Sequence, residues 1–136
     1  MSVWQHLSVS PIAGALGAEV GGIQLAHLNV SAFAEIQAAF LEYQVLFFGD
    51  QELTRDQQRA LARRFRTLNI LPFEQPLKDD GYPEFVVFQS GRHYLYVAQA
   101  WHADLTFLPE PPLGSLLRAR TTASWRHHVD EHVCGL

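Results

Sequence analysis

The sequence has one cysteine, Cys134, so no disulfide can form within the chain. Long hydrophobic runs are missing too. None approaches the roughly 18 residues that a spanning helix needs, so no membrane span is expected. The amino terminus, Met1-Ser-Val-Trp-Gln-His, lacks a basic region followed by an apolar stretch and does not read as a secretory signal. Densely basic segments are absent as well. Ten basic residues stand against fourteen acidic ones, a formal net charge of −4, which argues against nucleic-acid binding through an overall positive field. No internal repeat is present. Together these absences predict a cytoplasmic protein of a reducing compartment.

What is present is ordinary for a folded domain. Apolar residues make up 48% of the 136 and charged residues 18%, enough for one sizeable core. Leu7-Ser-Val-Ser and the stretch from Ala18 to Leu25 read as two strands, with Gly14, Gly17, Gly21 and Gly22 marking turns. These glycines do not follow a strand–glycine–helix order, so they read as a hairpin and not a dinucleotide loop.

Asn29 or Ser31 can cap a helix over about 31–43, whose apolar Phe33, Ile36, Phe40 and Tyr43 fall at helical spacing. Val45-Leu-Phe-Phe reads as a buried strand, and Phe33, Ile36, Phe40, Leu46 and Phe48 as core. Thr54 and Gln57 have the spacing of a capping box at the start of a second helix running to about Phe65. Leu61 and Phe65 should face inward on that helix, and Arg55, Arg59, Arg63 and Arg64 largely outward as a solvated face. Residues 69–83, with three prolines and a Lys-Asp-Asp-Gly turn, read as a loop. Glu84–Gln89 and Tyr94–Val97 read as strands. Short strands after two helices suggest helices packed on a β core.

The segment with chemical content is Ala100-Trp-His-Ala-Asp-Leu-Thr-Phe. In a stretch that looks extended, His102 and Asp104 are two apart and should leave the same face. An imidazole nitrogen beside a carboxylate supplies two of the three ligands of a 2-His-1-carboxylate facial triad, which leaves adjacent positions on Fe(II) open. A His and an Asp so spaced also occur as a plain surface pair.

Four motifs set the pair in a wider pattern. Val45-Leu-Phe-Phe-Gly-Asp-Gln, Leu53-Thr-x-x-Gln-Gln-Arg-x-Leu-Ala-x-x-Phe, Trp101-His-x-Asp-x-Thr-Phe and Pro111-Pro-x-Gly-Ser occur in this order. From about residue 7 to about residue 122 the chain resembles the amino-terminal half of the taurine dioxygenase and 2,4-D dioxygenase family. The resemblance implies an α+β, mainly β fold: an incomplete double-stranded β-helix (a cupin-like jelly roll) with two amino-terminal helices packed on it. It implies an Fe(II)- and 2-oxoglutarate-dependent dioxygenase with His102 and Asp104 as the first two iron ligands. Substrate hydroxylation would be coupled to release of succinate and CO₂, with a small molecule and O₂ as partners and no nucleic acid or membrane.

The family's pattern is not followed everywhere. Taurine-cleaving members carry a sulfonate-contacting His where this chain has Leu71, a Tyr where it has Glu74, and an Asn where it has Ala98. Leu cannot donate to a sulfonate, and a Glu near an anion repels it. A bulkier or less anionic substrate than taurine, still within reach of sulfonates and sulfate esters, is the expectation.

The resemblance also places the family's third metal ligand, a distal His, and its 2-oxoglutarate-binding Arg beyond the segments matched here. Residues 1–122 are therefore expected to form the amino-terminal part of such a domain, inactive alone. Residues 123–136 are expected to be a frameshifted tail. Read one base later, Trp125 gives Gly and the codons permitted after it can spell Gly-Thr-Met-Trp, so that the stretch resembles the family's oxoglutarate-contacting segment. In the written frame, His128 and His132 are four apart, which on a helix could hold zinc with His102 and Asp104. A second function class is a non-catalytic module that pairs with another chain. An incomplete β-helix would expose strand edges, so homo-oligomers or edge association are expected.

Overall fold

The computed structural model describes residues 4–70, 76–77, 80–90, 103, 105–123 and 127–133. The chain divides into two compact units, Met1–Leu61 and Ala62–Leu136.

The first unit is built on a three-stranded sheet of order β1-β2-β3, with β1 at Ser8–Pro11, β2 at Ala18–Gly21 and β3 at Leu46–Phe47. β1 and β2 form the hairpin expected from the glycines, pairing antiparallel with Val9 opposite Val20. Gly17 is at φ +87° where the hairpin loop closes, and Ile12 N–H donates to its carbonyl at 2.9 Å. A Cβ on Gly21 would stand 2.8 Å from Ser8 Oγ, so a side chain there would require the Ser8 hydroxyl to turn away. β2 is shorter than expected. Gly22, at φ +81°, ends it, and Leu25–His27 form a 3₁₀ turn instead of further strand.

β3 pairs parallel with β2, Ala18 opposite Leu46 and Glu19 opposite Phe47. A parallel pair needs a crossover of a dozen residues or more, and the helix α1 at Val30–Tyr43 supplies it. Asn29 is the cap: its side chain accepts from Ala32 N–H at 2.7 Å. At the other end Gln44 takes a left-handed conformation, φ 65°, and its N–H returns to the Phe40 carbonyl at 2.7 Å.

Ala32, Phe33, Ile36 and Ala39 are the buried face of α1, joined in this unit's core by Leu7, Ala18, Val20, Leu25 and Leu53. Phe40, expected in the core, is half-buried, because the stripe passes through Ala39. The run at 45–48 also departs from expectation. Leu46 and Phe48 are half-buried, whereas Val45 and Phe47 are exposed. Among the described residues the strand lies at a sheet edge, so only its alternate side chains find cover.

The helix α2 at Arg55–Phe65 begins with the expected capping box. Thr54 N–H donates to Gln57 Oε1 at 2.8 Å, and Gln57 N–H donates to Thr54 Oγ1 at 3.1 Å. Leu61 and Ala62 are buried. Of the four arginines only Arg63 is exposed; Arg55, Arg59 and Arg64 are half-buried.

The second unit holds an antiparallel sheet of order β4-β5-β7-β6, comprising Pro76–Leu77, Tyr82–Ser90, His127–Val133 and Leu116–Ala123. The expected loop over 69–83 therefore contains a short strand and gives way to β5 at Tyr82, with Gly81 at φ +78° in the turn. Pro76 sits on the sheet edge, where its missing N–H is tolerated. In β5, Glu84, Phe85 and Val86 are all buried in succession, so both faces of this strand are covered. Phe85 packs with Ala62, Phe65, Leu68, Tyr82 and Leu116. Its ring meets Tyr82 edge-on, with centroids 5.4 Å apart. The expected strand over 94–97 lies outside the described residues.

The architecture is thus α+β, with two helices in the amino-terminal half and two separate sheets among the described residues. No helix among them is long and apolar enough to cross a membrane.

Candidate functional site

His102 and Asp104, the expected metal ligands, lie outside the described residues, as do Leu71, Glu74 and Ala98. Their immediate neighbours are described. Ala103, between these two positions, is exposed. Leu105 follows Asp104 directly and does not continue a strand. It has φ 56° and opens a turn over 105–107, closed by Leu108 N–H donating to the Leu105 carbonyl at 3.1 Å. The extended stretch expected through Phe107 is therefore interrupted at Leu105.

A left-handed leucine costs about 1–2 kcal/mol, because its Cβ crowds the following carbonyl. Packing holds it there. Leu105 is buried against Val86 of β5, with Leu108 beside it. The residue after the carboxylate is thus fixed to the central region of the second sheet, a local anchor that motif reading did not foresee.

Beside the position preceding Leu71, a cavity of about 400 Å³ opens among Arg63, Arg66, Thr67, Leu68, Ile70, Pro83 and Glu84. It lies between the end of α2 and the start of β5. Glu84 is buried, and Arg63 and Arg66 share the lining with it.

The zinc alternative needed His128 and His132 on a helix. Both lie in β7, which pairs with β5 and β6: His132 is opposite Val86 and Leu117, and His128 opposite Ser90 and Thr122. Four strand residues span about 13 Å between Cα atoms, against about 6 Å on a helix, so the helical spacing behind that reading is absent. Among the described residues, no three His, Cys, Asp or Glu side chains are grouped to hold a metal ion. The donor set at 102 and 104, one imidazole nitrogen and one carboxylate, nevertheless fits ferrous iron in kind and is one ligand short of a facial triad.

Comparison with known proteins places these motifs in context. Over 124 residues the chain is 33% identical to an (S)-phenoxypropionate/alpha-ketoglutarate-dioxygenase of Sphingobium herbicidovorans, covering 85% of this chain and 41% of the relative. An alpha-ketoglutarate-dependent sulfate ester dioxygenase of Pseudomonas putida is 31% identical, covering 84% and 37% respectively. The crystal structure of a taurine dioxygenase from Burkholderia xenovorans superposes with a TM-score of 0.69 at 32% identity, covering 85% of this chain and 41% of that one. The chain spans about two fifths of the length of these relatives. A match to the taurine catabolism dioxygenase TauD, TfdA family runs over residues 8–128, taking in the hairpin, both helices and the His-x-Asp motif, and the chain belongs to that family.

Proposed function

We propose that this chain contributes the first two metal ligands, His102 and Asp104, to an Fe(II)- and 2-oxoglutarate-dependent dioxygenase. The observation that carries the reading is that Trp101-His102-Ala103-Asp104 falls inside the family match, in order with the three other motifs. In this reading His102 offers a neutral ring nitrogen and Asp104 a carboxylate oxygen. Iron and 2-oxoglutarate, when bound, would let O₂ act as the oxidant, one oxygen atom going to a substrate C–H bond and the other to the oxo acid as it loses CO₂ to become succinate. The chain's own share is placement. Leu105, buried against Val86, ties down the backbone that follows Asp104.

The third ligand and an arginine clamp for the 2-oxoglutarate carboxylate, a bidentate pairing suited to that residue, lie in the family's remaining portion. The double-stranded β-helix belongs to this same reading, with the two sheets as parts of it. Leu71, Glu74 and Ala98 are read as substrate-pocket positions that disfavour a small sulfonate. On size alone, an aryloxy acid or a sulfate ester, the classes named for the two relatives, fits the bulkier-substrate reading; both are anions, so Glu74 does not favour them. Residues 123–136 are read as an out-of-frame extension, which the nucleotide sequence around codon 124 tests.

The decisive experiment joins residues 1–122 to the portion of the Sphingobium relative beyond its match and measures succinate formed from 2-oxoglutarate, with and without Fe(II). Iron-dependent succinate that is lost in His102→Ala and Asp104→Ala is expected. Turnover indifferent to both substitutions would refute the assignment.

A further inference from the structure

Arg63 and Arg66 stand three residues apart at the end of α2. The Arg66 N–H still returns to the Ala62 carbonyl at 3.5 Å, so helical spacing runs through both. Residues so spaced are neighbours on one helix face. Both arginines are exposed, and among the described residues neither has an acidic partner. Two like charges side by side cost stability instead of adding it. The helix dipole favours cations in a last turn but does not choose the face they occupy. Here both belong to the lining of the cavity of about 400 Å³ between α2 and β5, which lies within the second unit.

The rest of the lining limits what could lie against the arginines. Thr67 brings a hydroxyl, and Leu68, Ile70 and Pro83 bring apolar surface, with Ile70 54% exposed. Glu84 is the acidic member; it is buried and already interacts within the protein. The volume falls at the lower end of the roughly 300–1,000 Å³ usual for small-molecule sites, more than a bare inorganic ion fills. Guanidinium groups pair with carboxylate and sulfate-type oxygens through a fixed fork of donors. A bare anion would use the arginines and leave the apolar wall idle, whereas an uncharged apolar molecule would do the reverse. A doubly charged headgroup would meet more repulsion from Glu84 than a singly charged one.

We propose that this cavity binds a small organic monoanion, a carboxylate or sulfate monoester with a compact apolar body. Arg63 and Arg66 hold the headgroup, and Ile70 and Pro83 cover the body. The site needs neither His102 nor Asp104, so it stands or falls apart from metal binding and turnover. Phenoxyacetate is the probe, with inorganic sulfate (a headgroup alone) and phenoxyethanol (a body alone) as its two halves. Each is titrated without metal into the full chain carrying His102→Ala and Asp104→Ala, and backbone amide shifts are followed by NMR.

Phenoxyacetate should saturate, shift the amides of residues 66–70 and Glu84, and bind about tenfold more tightly than either half. Arg63→Gln combined with Arg66→Gln should weaken it about tenfold or more, the order of one charge-assisted hydrogen bond. Arg63→Lys with Arg66→Lys, which keeps the charge but loses the fork, should fall between. Arg55→Gln, in the first turn of the same helix, should change nothing. Ile70→Ala should weaken phenoxyacetate and leave sulfate unaffected. Binding that survives the double glutamine substitution, or no shift at 66–70 in any titration, would overturn the proposal. Equal affinity for sulfate and phenoxyacetate would overturn it too, leaving only a solvated cationic face.

Discussion

Nδ1 of His6 lies 2.8 Å from Oε1 of Glu35, and the same carboxylate accepts the backbone N–H groups of His6 at 3.0 Å and Gln5 at 3.1 Å. One side chain of α1 thereby fastens the segment leading into β1. The His6 side-chain hydrogen bond is the largest cause holding the Glu35 carboxyl below its usual 4.5, with the backbone N–H groups adding to it and desolvation opposing.

The sign of the resulting pH dependence follows. A carboxylate whose pKa is lower in the folded than in the unfolded chain stabilises the fold above the unfolded value and loses that contribution as pH falls through the folded one. Thermal melts of the wild type and Glu35→Gln should differ near neutral pH and converge below the usual glutamate range. A constant difference across that range would show that the carboxylate charge is not what fastens the segment.

Ile36 is 2% exposed in the centre of the buried face of α1, whereas Phe40 one turn later is half-buried. Ile36→Ala should cost about 2–5 kcal/mol, and Phe40→Ala less than a fully buried Phe would. Urea unfolding of the two variants checks the order. A larger loss at Phe40 would place the helix stripe one position out.

The capping box at the start of α2 makes two reciprocal bonds, so removing either partner orphans a backbone donor. Thr54→Ala should cost about 1 kcal/mol. Gln57→Ala should cost no more, and the double variant less than the sum, because both delete one motif. Additive losses would mean the two bonds act independently.

Much of this was legible before any coordinates, and the residues show why. Thr54 and Gln57 act locally, so their three-residue spacing is enough to identify the cap. Asn29, one of the two capping candidates, likewise marks the start of α1, and Gly17 the hairpin loop, whereas the strand expected to run on to Leu25 stops at Gly22. The errors came where the outcome depended on distant chain. Val45-Leu-Phe-Phe reads as buried, yet half its side chains are bare, since apolar composition reports what a strand requires and not what covers it. The histidines at 128 and 132 have helical spacing but lie in a strand pairing with β5 and β6, a non-local choice that spacing cannot encode. At the candidate site, chemistry was readable from His102 and Asp104, whereas the turn at Leu105 was not, because nothing in Leu-Thr-Phe announces a left-handed residue.

Leu105 offers a test of that turn. The side chain is 8% exposed, and truncation to alanine should cost about 2–5 kcal/mol through lost packing on Val86 and Leu108. Glycine deletes one carbon more, yet it is at ease at φ 56° where alanine is strained by about 1 kcal/mol. Leu105→Gly should therefore be no less stable than Leu105→Ala. A glycine variant clearly below the alanine variant in chemical denaturation would show that the residue is not left-handed in solution.

The last prediction concerns the metal itself. His102 and Asp104 supply a nitrogen and an oxygen donor two residues apart, while a facial triad needs three ligands. Binding by the 136-residue chain should consequently be weak. Co(II), which reports coordination through its visible absorption, is a suitable probe and avoids the oxidation of Fe(II). Titration should give a weak band that His102→Ala and Asp104→Ala each abolish, because one remaining donor cannot hold the ion against water. His128→Ala and His132→Ala should leave it unchanged: the two positions stand about 13 Å apart along β7 and cannot share a metal as a helical pair would. Lowering the pH through the ordinary range of histidine should release the ion, since a protonated ring has no lone pair to donate. A band that survives both motif substitutions but disappears with His128→Ala or His132→Ala would move the metal site to β7 and remove the central support for iron at His102 and Asp104.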